Sequence, residues 1–276
     1  MRGSSAVGQS ILYTLLVLLS VVFLIPFAWT VSTSLKTRGN MWLIPPEWIP
    51  KSPQWSNYAD AFTYAPFGRY ALNTLMLEVL IIFGTVLSCT LVAYGFARFR
   101  FRWREPLFIL MLSTMLIPGE ITFIPRYLMF SYAGWIDTYY PLVVPAFFGN
   151  AFYIFLLRQY LMTIPHDMDE AAKVDGANSL QIYWRIFLPM LRPGITIVTV
   201  FTFTAVYNDF MGPLLFLNDQ AKFTIAVGLA TFVSSVGSEW NLLMAASTVT
   251  IVPLLIIYYF AQRQMIGGIA SFGIKG

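Results

Sequence analysis

The chain has 276 residues, of which 58% are hydrophobic and only 11% charged, and its net charge is +4. Soluble domains carry roughly 25% charged residues, so this composition excludes an ordinary soluble enzyme, and its apolar wealth excludes a disordered chain. One cysteine, Cys89, rules out a disulfide scaffold, and the small net charge without a long basic run speaks against nucleic acid as a partner.

The expected solvent is therefore a bilayer, in which a span needs roughly 20 mainly apolar residues. Residues 11–31 are uncharged and form the first predicted span. The alternative is a signal peptide behind Arg2, but the apolar core exceeds the ~7–15 residues of such peptides and no A-x-A site follows. Segment 39–55, rich in Pro and Trp, reads as an ordered outer loop with aromatic anchors at the interface. The second span, 71–97, is interrupted only by Glu78. Within it Gly84 and Ser88 form a small-xxx-small pair suited to close helix contact, and Cys89 reads as a packing residue. The third span, 106–130, contains Pro118, Gly119, Glu120, Pro125 and Arg126. The fourth covers 140–157, and the fifth covers 193–217 with Asn208 and Asp209 inside it. The apolar stretch 223–236 is too short to cross and is expected as a loop helix or re-entrant piece. The sixth span covers 240–262. The expected fold is all-α: an integral membrane protein of six transmembrane helices.

Six spans put both termini on one side. With the termini inside, the inner segments hold most of the 17 Lys and Arg, including the run FARFRFRWR at 96–104. The positive-inside rule then makes both termini cytoplasmic.

The inner loop 158–192 reads RQYLMTIPHDMDEAAKVDGANSLQIYWRIFLPMLR. Asp167 and Glu170 have the spacing of a capping box. The helix they open runs through Met168, Ala171, Ala172 and Val174 to Gly176, the usual residue just past a helix end. Asn178 with Gln181 caps a second short helix, which Pro189 is expected to end. Two helices thus meet at a glycine elbow, and the small Ala171 and Ala172 leave a face flat enough for docking into a groove of another protein. The bland alternative is an interfacial amphipathic helix. His166, the single histidine, opens this segment as a solvated residue or as a pH sensor.

Glu170-Ala171-Ala172, three residues, Gly176, nine residues, Ile186-x-Leu188-Pro189: this spacing resembles the EAA motif of ABC importer permeases. AYGFARFRF at 93–101, LIPGEITFIP at 116–125, VYNDFMGPL at 206–214 and QRQMIGGIASFGIKG at 262–276 resemble the carbohydrate-type, maltose-permease-like branch. The resemblance covers nearly the whole chain. It implies a single permease domain over 1–276, a coupling loop at 158–192 and a cytoplasmic tail at 263–276. It implies a second homologous permease subunit, two cytoplasmic ATPase subunits that bind ATP and Mg, and an extracytoplasmic sugar-binding protein, in the inner membrane of a bacterial or archaeal cell. The cargo would be a sugar, oligosaccharide or related polyol, imported by alternating access. On the same resemblance Glu170, Ala171, Ala172, Asp175 and Gly176 form the docking core for the ATPase, and Ile186, Leu188 and Pro189 fix the loop against the spans. Phe272, Gly273 and Lys275 of the tail would reach the ATPase interface.

Acids at bilayer depth usually face a cavity or a partner. Glu78, and Glu120 beside the Pro118-Gly119 break, are therefore candidates for the substrate path, with helix packing as the rival role. Tyr207, Asn208 and Asp209 are candidates because sugars are held by planar polar groups and aromatic faces; the rival is interhelix hydrogen bonding. No G-x-x-x-x-G-K-[ST], H-E-x-x-H or G-x-S-x-G pattern occurs. No catalytic or metal set and no cofactor of its own are expected, and the energy comes from a partner or an ion gradient. An ion-coupled secondary transporter using Glu78 and Glu120 is the alternative, although such proteins usually show internal repeats and more spans. A membrane-embedded enzyme is a third reading that lacks a nucleophile-base set.

Overall fold

A computed structural model describes residues 6–233 and 239–273, with side chains for 8–233 and 239–262. It is built of helices, with no strand among the described residues. Four helices are each long and apolar enough to cross a membrane: Gly8–Ser34, Phe67–Arg98, Tyr140–Met162 and Trp240–Gln262. Two bent pairs, Arg104–Leu116 with Gly119–Tyr132 at 95° and Ser179–Met190 with Arg192–Tyr207 at 74°, bring the count to six if each is one broken span.

The chain divides into two compact units, Met1–Phe67 with Gly228–Val252, and Gly68–Val227 with Pro253–Gly276. In the first unit the apolar side chains of the first span, from Ile11 to Ile25, are exposed, as suits a helix whose neighbours are lipid or another chain. Its polar end is knotted by Asn57, which donates to the carbonyls of Ser34 (2.7 Å) and Lys36 (2.9 Å) and accepts from Asn241 (3.2 Å). Trp48 of the Trp-rich loop packs edge-on against Trp29, ring centroids 5.0 Å apart. Burial lowers the pKa of Lys36 there, opposed by the charge of Glu47.

In the second unit the second span is the axis. Gly84 lets the ring of Phe147 approach so closely that a Cβ would lie 2.7 Å from it, and Ser88 donates to Ala146 O at 2.9 Å. The small-xxx-small pair therefore does what its spacing implies. The third span breaks where expected. Proline pushes the residue before it out of the α region, and Ile117 is extended at φ −86°, ψ 113° ahead of Pro118.

Three expectations are corrected. The fifth span does not run to 217: its helix ends at Tyr207, and a separate short helix covers Met211–Phe216. Asn208 and Asp209 thus occupy a helix break, where freed backbone needs their side chains. Asp167 does not cap the loop helix Asp167–Val174; His166 holds the N-cap position and no side chain caps it. Pro189 does not end its helix. A π turn over Tyr183–Phe187 precedes it, with Leu188 N–H bonding Tyr183 O, and the helix carries on to Met190. A widened turn removes the regular i→i−4 ladder that a proline would otherwise clash with. The segment 223–236 forms the short helix Ile225–Ala230, and residues 234–238 lie outside the described residues.

Candidate coupling loop and translocation path

The loop helix Asp167–Val174 is closed by a glycine motif. Gly176 has φ +81°, the amide of Ala177 donates to Ala172 O and that of Gly176 to Lys173 O, both at 3.0 Å. This pair of bonds is the Schellman arrangement, which needs a left-handed residue at this place. The next helix opens with the expected capping box: Asn178 and Gln181 exchange backbone-to-side-chain bonds of 2.9 Å each way.

The elbow is fastened to the second span by residues spaced one turn apart. Thr90 Oγ1 shares a 2.8 Å hydrogen bond with Tyr183 OH. Tyr94 OH donates to Ser179 O at 3.2 Å. Arg98 donates to Leu161 O (3.0 Å), Ile164 O (2.9 Å) and His166 Nδ1 (3.0 Å). Its Nε lies 3.7 Å from Asp169 Oδ2, with the Arg98 side chain 2% exposed, and its guanidinium lies 4.6 Å from the centre of the Phe187 ring. Positions i, i+4 and i+8 share one helix face, so one stripe of the second span holds the start, elbow and second helix of the loop. Apolar packing completes the joint: Ala93, Ala97, Leu157, Leu161, Ala172, Ile182 and Phe187 belong to one buried core.

The motif residues divide by face. Glu170, Ala171, Asp175 and Gly176 are exposed, and Ala172 is 8% exposed and turned into the core. Ile186 and Leu188 are partly buried against that core, and Pro189 is exposed. Val174, Leu180 and Trp184 are exposed and add apolar surface beside the acids, with Trp184 edge-on to Tyr183 at 5.1 Å. Lys275 lies outside the described residues, and Phe272 and Gly273 are described only as helical backbone.

The path candidates scatter more. A cavity of about 300 Å³ is lined by Thr74, Leu77, Ala205, Val206, Asp209 and Thr224, among others. Asp209 reaches it while its Oδ1 accepts from Gly212 N at 2.9 Å. Glu78 is 2% exposed, and neither carboxylate oxygen has a hydrogen-bond partner among the described residues. Asn208 is exposed and donates to Thr204 O at 2.8 Å. Tyr207 stacks on Phe203 at 5.4 Å. Glu120 is exposed in the 3-10 turn after the Pro118 break, and no ion pair joins it to Arg126 among the described residues. The structure therefore brings Asp209 to a cavity, buries Glu78 and leaves Glu120 apart.

Asp137, between the third and fourth spans, carries a junction that no sequence pattern announced. Its φ is +60°. Its Oδ1 accepts from the amides of Asn218 (3.0 Å) and Asp219 (2.9 Å), and Lys222 Nζ bonds both its carboxylate and its carbonyl at 2.7 Å. The Lys222 bond, followed by the two amides, holds the Asp137 pKa down at about 2. Its carboxylate in turn raises that of Lys222.

Several membrane-crossing helices with a motif-bearing loop fastened to one of them define a polytopic membrane protein. The sequence matches the family described as "Binding-protein-dependent transport system inner membrane component" over residues 84–269, and the chain belongs to that family. It is 32% identical to the diacetylchitobiose uptake system permease protein NgcG of Streptomyces coelicolor, over 95% of this chain and 87% of that one. It is 29% identical to the melibiose/raffinose/stachyose import permease protein MelC of Bacillus subtilis, over the full length of both. Its fold matches a chain in the crystal structure of a bacterial ABC transporter involved in the import of the acidic polysaccharide alginate. There the TM-score is 0.82 at 22% identity, covering 95% of this chain and 99% of that one. Family membership removes the secondary-transporter and membrane-enzyme readings.

Proposed function

We propose that this permease is one of two homologous membrane subunits of an ATP-driven importer that moves a saccharide, oligosaccharide or related polyol by alternating access. The observation that carries the reading is the fastened loop. Glu170, Ala171, Asp175 and Gly176 are offered outward, while Tyr183, Ser179 and Ile164 bond the loop to the stripe Thr90, Tyr94, Arg98 and Ala172, Ile186 and Leu188 pack in the adjoining core, with Pro189 at its edge. A push on such a loop is delivered to the second span and not lost in slack chain. Relatives named for uptake of diacetylchitobiose and of melibiose, raffinose and stachyose support the saccharide class.

On this reading the whole chain acts as one permease domain. Two cytoplasmic ATPase subunits receive the loop and bind ATP and Mg, and an extracytoplasmic binding protein delivers the cargo. Both termini are cytoplasmic, as the arginine run 98–104 supports, and the tail with Phe272, Gly273 and Lys275 approaches the ATPase. Glu78, Tyr207, Asn208 and Asp209 border the path, and Glu120 marks the hinge of the third span.

The test is gentle purification of the tagged chain from its native membrane with mass spectrometry of what accompanies it. An ATPase, a second permease and a binding protein are expected, and the binding protein is then screened against saccharides. A chain that emerges alone, under conditions that keep other membrane complexes whole, overturns the proposal.

A further inference from the structure

A cavity of about 500 Å³ opens beside residues 98–104. Arg98, Arg100, Arg102, Arg104, Arg158 and His166 line it, against one carboxylate, Glu105. Three of these arginines are committed within the protein. Arg98 holds the loop as described. Arg104 lies 2.8 Å from Glu105. Arg158 donates to Phe96 O at 3.4 Å, lies 3.5 Å from Glu105 and stacks 4.1 Å over the Phe108 ring. Arg100 and Arg102 are exposed and make no ion pair among the described residues; Arg102 lies 5.9 Å from the centre of the Trp103 ring, a contact that leaves its N–H donors for a ligand. The cavity therefore carries more positive charge than Glu105 neutralises, and two guanidinium groups remain for a ligand.

The segment Arg98-Phe99-Arg100-Phe101-Arg102-Trp103-Arg104 alternates basic and aromatic residues. Phe99, Phe101 and Trp103 are 44%, 45% and 61% exposed. Aromatic side chains at the end of a span favour the headgroup level of a bilayer. Guanidinium forks match phosphate oxygens, and basic pockets between spans on the cytoplasmic side suit anionic headgroups. Orienting the chain by the positive-inside rule requires only charge; it requires neither a cavity nor uncommitted arginines around one.

We propose that this cavity binds a phosphate group carried by an anionic phospholipid. Arg100 and Arg102 contact the phosphate, Arg104 and Arg158 supply the surrounding field, and the three aromatics lie among the adjoining lipids. The proposal rests on membrane insertion and is independent of which cargo is carried.

Native mass spectrometry of the intact detergent-purified transporter tests it, by titration in phosphate-free buffer with dioleoylphosphatidylglycerol, dioleoylphosphatidylcholine or inorganic phosphate. One tightly held phosphatidylglycerol per chain is expected, with phosphatidylcholine unable to replace it. A basic residue near the surface contributes about 1 kcal/mol to anionic lipid binding, so Arg100→Gln with Arg102→Gln is expected to weaken that site about 30-fold. Removing two charges elsewhere, by Lys51→Gln with Arg69→Gln, is expected to leave it unchanged. Thermal unfolding confirms that both double variants fold. Equal phosphatidylglycerol binding in the Arg100/Arg102 variant, or equal weakening in the control, overturns the site. Displacement by inorganic phosphate at the same concentration overturns the lipid assignment in favour of a free anion. Loss of the ATPase subunits with the lipid count unchanged overturns it in favour of a protein contact.

Discussion

Asp137 joins two loops of the larger unit through one carboxylate, which receives Lys222 and two backbone amides. Its depressed pKa gives the pH window. The contribution is complete above the ordinary carboxylate range, about pH 4, and is lost as pH falls through about 2. The raised Lys222 contributes up to and beyond its ordinary 10.5. Protection of the Asn218 and Asp219 amides, corrected for intrinsic exchange, is therefore expected to stay flat from pH 7 to 4 and to fall below about 3. Asp137→Asn is expected to abolish that fall and to raise exchange at neutral pH; hydrogen exchange with mass spectrometry checks both. Gly176 poses a different residue-scale test. Its φ of +81° is unfavourable for any side chain, yet a Cβ there meets nothing within 4 Å. The elbow is thus not crowded, contrary to what a tight glycine turn suggests, and strain is purely conformational. Ala at 176 is expected to weaken the loop by about 1–2 kcal/mol, and β-branched Val, which tolerates a positive φ less well, by more, with reduced ATPase recovery at normal membrane insertion. Full recovery with both variants would refute this account.

At the scale of the element, the stripe Thr90, Tyr94, Arg98 makes the second span a lever on the loop. Tyr94→Phe removes one hydrogen bond and is expected to weaken the joint by about 1 kcal/mol. Arg98→Gln leaves two carbonyls and the buried Asp169 without their cation and is expected to weaken it by roughly 2–4 kcal/mol. The functional signature is uncoupling: ATP hydrolysis continues in reconstituted vesicles while cargo uptake falls, more for Arg98→Gln than for Tyr94→Phe. Equal loss of hydrolysis and uptake would assign Arg98 to assembly instead. The loop's helices and elbow were legible in sequence because a glycine at a helix end and an Asn-x-x-Gln box act over a few residues. The capping role expected of Asp167 failed because the chain enters the helix one residue earlier. Pro189 stayed helical because the π turn before it absorbs its missing donor.

At the scale of the whole molecule, alternating access requires the loop to move with the nucleotide state of a partner. The exposure pattern chooses the probe. Ala172 is buried, so a cysteine there is expected to stay unreactive. Ala171→Cys, in a Cys89→Ser background, is expected to crosslink to a cysteine placed in the ATPase cleft, with a yield that changes on adding ATP. A yield indifferent to nucleotide would keep the docking and remove the switching. The apolar stretches, four crossing as single helices and two as bent pairs, were countable from hydropathy, since each is a property of some 20 consecutive residues. The end of the fifth span was not, because apolar sequence continues past Tyr207 although the helix does not.

By itself the sequence determined the bilayer as solvent, the apolar stretches, the helical elbow and the spacing that marks the family. Each of these is written in hydropathy, in the φ freedom of a glycine or in short-range residue order. Only the tertiary structure decided that Ala171 faces outward while Ala172 faces inward, that Thr90 meets Tyr183 across 93 positions of sequence, that Asp137 clasps Lys222, and that Arg100 and Arg102 border a cavity without an ion-pair partner among the described residues. Those facts depend on which side chains are brought together from distant parts of the chain, and packing, not local propensity, selects the partner of a buried or charged group.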